Sequence, residues 1–139
     1  MNFIKKNNSY ILRFDQDEKL VQLIEEFVIK HKIKFGWLSG LGACKGAELG
    51  FYDLENQDYK WQTFTELSEI TNLTGNVSWL KDEPKVHIHI TLSDNKFNTY
   101  GGHLKELIVG GTVELKLDLV EHKISRVFDE KTGLNTLEL

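Results

Sequence analysis

The segment Asp15–Ala43, DQDEKLVQLIEEFVIKHKIKFGWLSGLGA, changes its hydrophobic period partway along, and the fold class follows from that change. In its first half Leu20, Leu23, Ile24, Phe27 and Val28 fall at i, i+3, i+4, i+7 and i+8, the apolar stripe of a helix lying on a core. Asp17, or Asp15 with Glu18 three residues on, is positioned to cap the first helical amides. The cations of Lys30, His31, Lys32 and Lys34 suit a helix C-terminus, where they complement the macrodipole. Beyond Lys32 the period drops to two. IKFGWLSGLGA reads as a strand running into a bend, with Ser39–Ala43 turning the chain before AELGFYD continues as a strand.

Working outward, YILRF (Tyr10–Phe14) alternates as a short strand ahead of the helix. Downstream come YKWQTF, reached through the turn LENQD, then SEITNLTGNVSWL and KVHIHITL, the last introduced by the only proline, Pro84. HLKELIV follows Gly101-Gly102, and TVELKLDLV alternates without a fault, Val113, Leu115, Leu117 and Leu119 facing one way. KISRVF closes the set before the tail DEKTGLNTLEL. One main N-terminal helix and seven or more strands predict an α+β fold on a largely antiparallel sheet, with residues 1–139 as a single domain.

The 139 residues carry a net charge of −4, and only two of the 17 basic residues, Arg13 and Arg126, are arginines. A phosphate-binding surface gathers positive charge and favours arginine, so the composition argues against nucleic acid as a partner. No apolar run approaches the ~18 residues of a membrane span. The lysines near the N-terminus are not followed by an apolar stretch, so no signal peptide is expected there. Cys44 is the only cysteine, which fits a reducing, cytoplasmic setting and a small core residue rather than a bridge.

Chemistry concentrates in KVHIHITLSDNKFNTYGGHL, Lys85–Leu104. The strand pleat sends Val86, Ile88 and Ile90 to one face and His87 and His89 to the other, about 6.5–7 Å apart at Cα. A hairpin through the turn-rich stretch Asn98–Gly102 would return His103 beside them, with Gly101 and Gly102 permitting close backbone approach. Three imidazoles with an open fourth position match the donor set of catalytic zinc; iron, cobalt or nickel accept the same donors. Each must be deprotonated to bind, so affinity is expected to fall as pH drops through the imidazole range near 6.5. The alternative is a row of half-buried histidines hydrogen-bonded to backbone or carboxylate. Glu69 is a weak candidate to orient a histidine or act as a general base, and it reads equally as a solvent-facing strand residue. Ser39 lacks an elbow pattern around it, and His31 and His122 sit among charges as ordinary surface residues. The aromatics Phe51, Tyr52, Tyr59, Trp61 and Phe64 exceed what one small core covers, which points part of them toward a partner subunit.

Taken in order, DEKLVQLIEEF, SGLGACKGAELGFYD, SEITNLTGNVS, VHIHITLSD, GGHL and FDEKTGLNTLEL give the chain a resemblance, nearly end to end, to the PPC domain (plants and prokaryotes conserved domain). The resemblance implies an α+β subunit that assembles as a homotrimer. In plant members the domain follows AT-hooks that bind A·T-rich DNA, and it serves oligomerisation and partner proteins. This sequence contains no Arg-Gly-Arg-Pro hook. Across Glu66–Thr71, where plant members carry the partner motif Gly-Arg-Phe-Glu-Ile-Leu, only Glu69 and Ile70 agree. Plant domains lack the histidines kept here, so the chain is similar to the stand-alone prokaryotic branch. Three readings stay open: a trimeric protein holding a divalent metal, zinc first, on His87, His89 and His103 with an activity on a small molecule; a DNA-binding regulator by analogy with the plant proteins; and a trimeric interaction scaffold without metal.

Overall fold

The amphipathic stripe forms helix α1 (Leu20–Lys30), with Leu20, Ile24, Phe27 and Val28 buried and Leu23 half-buried. The computed structural model describes residues 1–139. Against expectation, neither Asp15 nor Asp17 caps this helix. The N-cap position is Lys19, and its side chain makes no capping bond. The Glu106 carboxylate instead reaches across from a distant strand and accepts the amides of Val21 (2.7 Å) and Gln22 (3.1 Å). Glu18 does accept the Asp15 amide at 2.8 Å, but this closes the turn before the helix rather than the helix itself.

Nine strands accompany the helix: β1 (Asn2–Lys6), β2 (Ser9–Asp15), β3 (Phe35–Asp53), β4 (Asp58–Phe64), β5 (Ser68–Leu80), β6 (Glu83–Ser93), β7 (Thr99–Val120), β8 (Arg126–Asp129) and β9 (Leu134–Leu137). The first seven form one antiparallel sheet in the order β1-β2-β7-β6-β5-β3-β4, and β8 and β9 form a separate hairpin. Strands β3 and β7 also pair with each other, so the ladder β3-β5-β6-β7 returns on itself. That closure covers edges which would otherwise offer unpaired backbone groups. Helix α1 packs on β6 and β7. Its stripe joins the inward side chains Leu12, Phe14, Leu73, Ile88, Leu92, Leu107, Val113, Leu115 and Leu117 in one apolar core.

Several boundaries differ from the sequence reading. Ser39–Ala43 does not turn the chain; it lies inside the continuous strand β3, hydrogen-bonded to both β5 and β7. Its glycines serve a β-bulge and a close approach: Gly42 sits at φ +149°, and a Cβ there would lie 2.3 Å from the Thr112 carbonyl oxygen. HLKELIV and TVELKLDLV likewise merge into the single strand β7. The N-terminal residues, read only for targeting signals, form edge strand β1, and the tail folds back as hairpin β8–β9.

The remote cap gives a direct test. Glu106→Ala is expected to lower unfolding free energy by about 1 kcal/mol, the usual cost of losing a cap. Asp17→Asn, at an exposed position outside the helix, should stay within about 0.5 kcal/mol of the parent. Urea denaturation of both variants makes the comparison.

Candidate metal centre

Register places the three imidazoles. In the β5–β6 ladder His87 pairs with Asn76 and His89 with Thr74, and in the β6–β7 ladder His89 pairs with His103. Ile88 and Ile90 point into the core, so the pleat leaves His87 and His89 on the opposite face. The reversal that brings His103 back lies earlier than expected, at Asp94–Asn98. There the Asp94 carboxylate accepts the amides of Lys96 (2.8 Å) and Asn98 (2.9 Å). Gly101 and Gly102 then belong to β7 and let it pass between its neighbours. A Cβ at Gly101 would stand 2.5 Å from the Ile90 carbonyl oxygen, and one at Gly102 would stand 2.8 Å from that of Gly50.

The imidazole ring centroids are 5.1 Å (His87–His89), 5.2 Å (His87–His103) and 5.7 Å (His89–His103) apart. One ring nitrogen from each lies within 4.8 Å of the other two. Tetrahedral donors around zinc stand roughly 3.4 Å apart at bonds of about 2.0–2.1 Å. Modest side-chain rotations would therefore bring the three onto one ion. The donors also fit an ion by what they lack: His103 Nδ1 is buried and has no hydrogen-bond partner. A buried polar atom left this way costs about 1–3 kcal/mol unless something satisfies it.

His87 and His103 open onto a cavity of about 610 Å³. Leu80 and Val86 form part of its wall, and Leu134 and Leu137 of hairpin β8–β9 close another part. Tyr59 lines it too; its ring stacks on Trp61 at 4.7 Å and lies 5.1 Å from the His103 ring. Arg126 comes from β8. Its Nε donates to Ser78 Oγ (2.8 Å), Nη1 to the Asn135 carbonyl (2.7 Å) and Nη2 to Asn76 Oδ1 (2.9 Å), with Nη2 also 3.3 Å from His87 Nδ1. Buried Asn76 and Ser78, two residues apart on β5, form the seat of this guanidinium.

Burial lowers the pKa of both cavity-facing imidazoles to about 4. For His87 the positive charge of Arg126 adds to burial, and for His103 the neighbouring His89 does, followed by Arg126. Proton competition at these two donors thus moves below the expected region near 6.5. Burial is also the main cause that raises the Tyr59 phenol.

Other candidates fall elsewhere. Glu69 is exposed, pairs with Ser93 four residues along β6 from His89, and does not line the cavity. Ser39 is exposed within β3, and Cys44 is buried in the core. His122 is exposed, as read. His31 is not an ordinary surface residue: its ring lies 4.2 Å from Phe27 and 4.9 Å from Phe3, with Nε2 buried and unpartnered. Sequence reasoning passed over Arg126 and Asn76 as site residues, and grouped Tyr59 with the aromatics directed toward a partner subunit, whereas it lines the cavity. No local signal marked Asn76 and Ser78, because polar residues on either side of an apolar Val77 are the ordinary alternation of a half-buried strand.

The class these features define is a small, β-rich domain whose closed antiparallel ladder carries a three-imidazole cluster on paired strands. The profile of the Plants and Prokaryotes Conserved (PCC) domain matches residues 1–119, and the chain belongs to that family. It is similar to a metal-containing protein of Archaeoglobus fulgidus, with 34% identity and TM-score 0.88 over 100% of this chain and 99% of that one. It is also similar to a Bacteroides thetaiotaomicron protein described as a candidate DNA-binding protein, with 30% identity and TM-score 0.95 over 99% of this chain and 96% of that one. Among curated proteins it is 31% identical, over 94% of its length, to part of the bifunctional protein GlmU of a Synechococcus strain. The chain spans about a fifth of such a relative, 20% of its length. No helix is long and apolar enough to cross a membrane.

The lowered imidazole pKa values predict a pH window for the metal-free protein. Folded His87 and His103 stay neutral down to about 4, whereas in the unfolded chain they protonate near 6.5. Between those values the unfolded state binds more protons, so their contribution is complete above the window and is lost as pH falls through it. Imidazole NMR signals of these two residues should keep neutral-form shifts at pH 5.5, while urea midpoints decline from about 6.5 downward. Titration of both rings near 6.5 would contradict this.

Proposed function

We propose that this chain is a metal-binding protein whose His87, His89 and His103 hold one divalent ion, zinc being the best match to three neutral nitrogen donors. The observation that carries the reading is the convergence of three imidazoles, one of them with a buried nitrogen that no protein group satisfies. Iron, cobalt and nickel remain compatible with the donor set. The likeness to the Archaeoglobus protein, itself called metal-containing, supports the assignment. An ion on three imidazoles with an open position supplies Lewis acidity. The chain's own part is to keep two donors neutral by burial, to hold Arg126 beside His87, and to enclose a cavity sized for a small molecule. An activity on such a molecule is the function this arrangement supports best.

The reading includes a homotrimer. Phe51 and Trp61 remain exposed on the β3–β4 hairpin, as do Trp37, Leu41 and Leu67. Exposed large apolar groups in such number suit burial against further copies. A DNA-binding reading draws on likeness to the Bacteroides protein. The side chains do little for it: Arg13 is paired with Asp15 at 3.1 Å, and Arg126 is turned into the cavity.

Metal content tests the first claim. After reconstitution with zinc and dialysis against a weak chelator, the parent should retain stoichiometric metal, and His87→Ala, His89→Ala and His103→Ala should each lose most of it. His31→Ala and His122→Ala should retain as much as the parent. Equal behaviour of all five variants, or a parent that holds none of zinc, iron, cobalt or nickel, would refute the site.

Light scattering tests the assembly. At micromolar concentration the expected mass is three times that of the 16.1 kDa chain, and a monodisperse monomer would remove the trimer from the proposal.

A further inference from the structure

Arg126 is a half-buried cation with no anionic partner. None of the ion pairs in the structure includes it, and no Asp or Glu lines the cavity it faces. The other cation at the cavity, Lys85, is already matched with Glu83 at 3.0 Å. In a chain whose net charge is −4, a cavity lined by two cations and no acid is a local inversion of sign. An unpaired charge withdrawn from water is costly, and such a site gains most from a ligand that supplies the counter-charge.

Donor counting sharpens the point. The guanidinium has five N–H groups. Three donate to Ser78, the Asn135 carbonyl and Asn76; a fourth is directed at His87 Nδ1; the second hydrogen of Nη1 has no acceptor. The bond to His87 needs a lone pair on Nδ1. If His87 binds an ion through Nδ1, that lone pair is used. If it binds through Nε2, the neutral ring carries its proton on Nδ1. Either way, metal binding leaves Nη2 with a donor released from the imidazole, and each terminal nitrogen then has one N–H without an acceptor. Two such donors on one planar cation are what a carboxylate accepts with its two oxygens.

We propose that Arg126 is the anion-recognition residue of the cavity, and that the ligand taken beside the metal is a small organic acid whose carboxylate binds this guanidinium. The remainder of the molecule lies against Leu80, Val86, Leu134 and Leu137, the apolar wall that favours an organic acid over an inorganic oxyanion. The inference rests on the metal reading above, because metal occupancy is what releases the donors. Arg126 is also structural, since it ties β8 to β5 through Ser78 and Asn76.

The test uses zinc-loaded full-length protein with isobutyrate as probe, its neutral isostere isobutyramide as control and inorganic phosphate as the competing anion. Because the chain has only two arginines, nitrogen-15 NMR resolves both Nε–H groups without mutation. Isobutyrate should shift the Arg126 signal saturably and leave Arg13 unmoved, and isobutyramide should bind at least tenfold more weakly. Arg126→Gln should weaken isobutyrate binding at least tenfold while retaining the parent's zinc, because Arg126 is not a ligand. If that variant does not fold, the comparison of acid with amide on the parent still decides. Equal affinity for acid and amide, an unmoved Arg126 signal, or saturation by phosphate at lower concentration than by isobutyrate would overturn the inference while the metal reading stands. A parent that holds none of zinc, iron, cobalt or nickel overturns both.

Discussion

The pleat of β6 is the constraint on which the site depends. Ile88 and Ile90 must enter the core beneath α1, and a strand with one face committed inward sends the intervening residues outward. Slipping β6 by one residue against β5 would place imidazoles in the core and isoleucines in the cavity. The ladder then fixes what stands opposite: Asn76 beside His87, His103 beside His89. The same register that buries the core therefore assembles the nitrogen donors and the acceptors that hold Arg126.

What the sequence made legible are features set by neighbours along the chain. The stripe Leu20–Val28 specifies a helix because its period is local, and H-x-H specifies a shared face because the pleat is local. The return of His103 was readable from the short span between the histidines, although the turn itself lies at Asp94–Asn98, where Asp94 caps backbone amides. The illegible features are set by partners remote in sequence. The helix start is satisfied by Glu106, 85 residues from Val21, so acidic residues near the helix misled the capping reading. Ser39–Ala43 looked like a turn because glycine permits one; here glycine is required by the approach of β7, which nothing local announces. Arg126 lies 39 residues from His87; KISRVF reads as a strand, but its pairing with the tail and its place beside the imidazoles depend on partners remote in sequence.

Burial acts on the two halves of the site in opposite senses. For His87 and His103 it favours the neutral ring, the form that offers a lone pair to a metal. For Arg126 it disfavours the only form arginine adopts in proteins, and its pKa falls in consequence. The imidazoles are thus prepared by desolvation, whereas the guanidinium is left in deficit. Three neutral acceptors, Ser78, Asn76 and Asn135, reduce that deficit without cancelling the charge. A purely structural arginine would be expected to end on a carboxylate, and none is supplied.

The two parts of the cavity also come from different stretches of chain. The imidazoles lie within residues 1–119, the span matched by the family profile, on strands locked into the closed ladder. Arg126, Leu134 and Leu137 lie beyond that span, on a two-stranded hairpin outside the main sheet. That hairpin is fastened to the ladder by the Arg126 bonds, by the Trp79–Ser125 bridge and by Tyr52, whose hydroxyl donates to the Thr132 carbonyl at 2.7 Å. Under the proposed reading, a ladder holding the donors and a separately attached wall holding the cation divide the work: strand register fixes where an ion would sit, and hairpin sequence sets which molecule would lie beside it. Changes in β8 and β9 could then alter ligand choice without moving the imidazoles, because no hydrogen bond of the β6–β7 register passes through the hairpin.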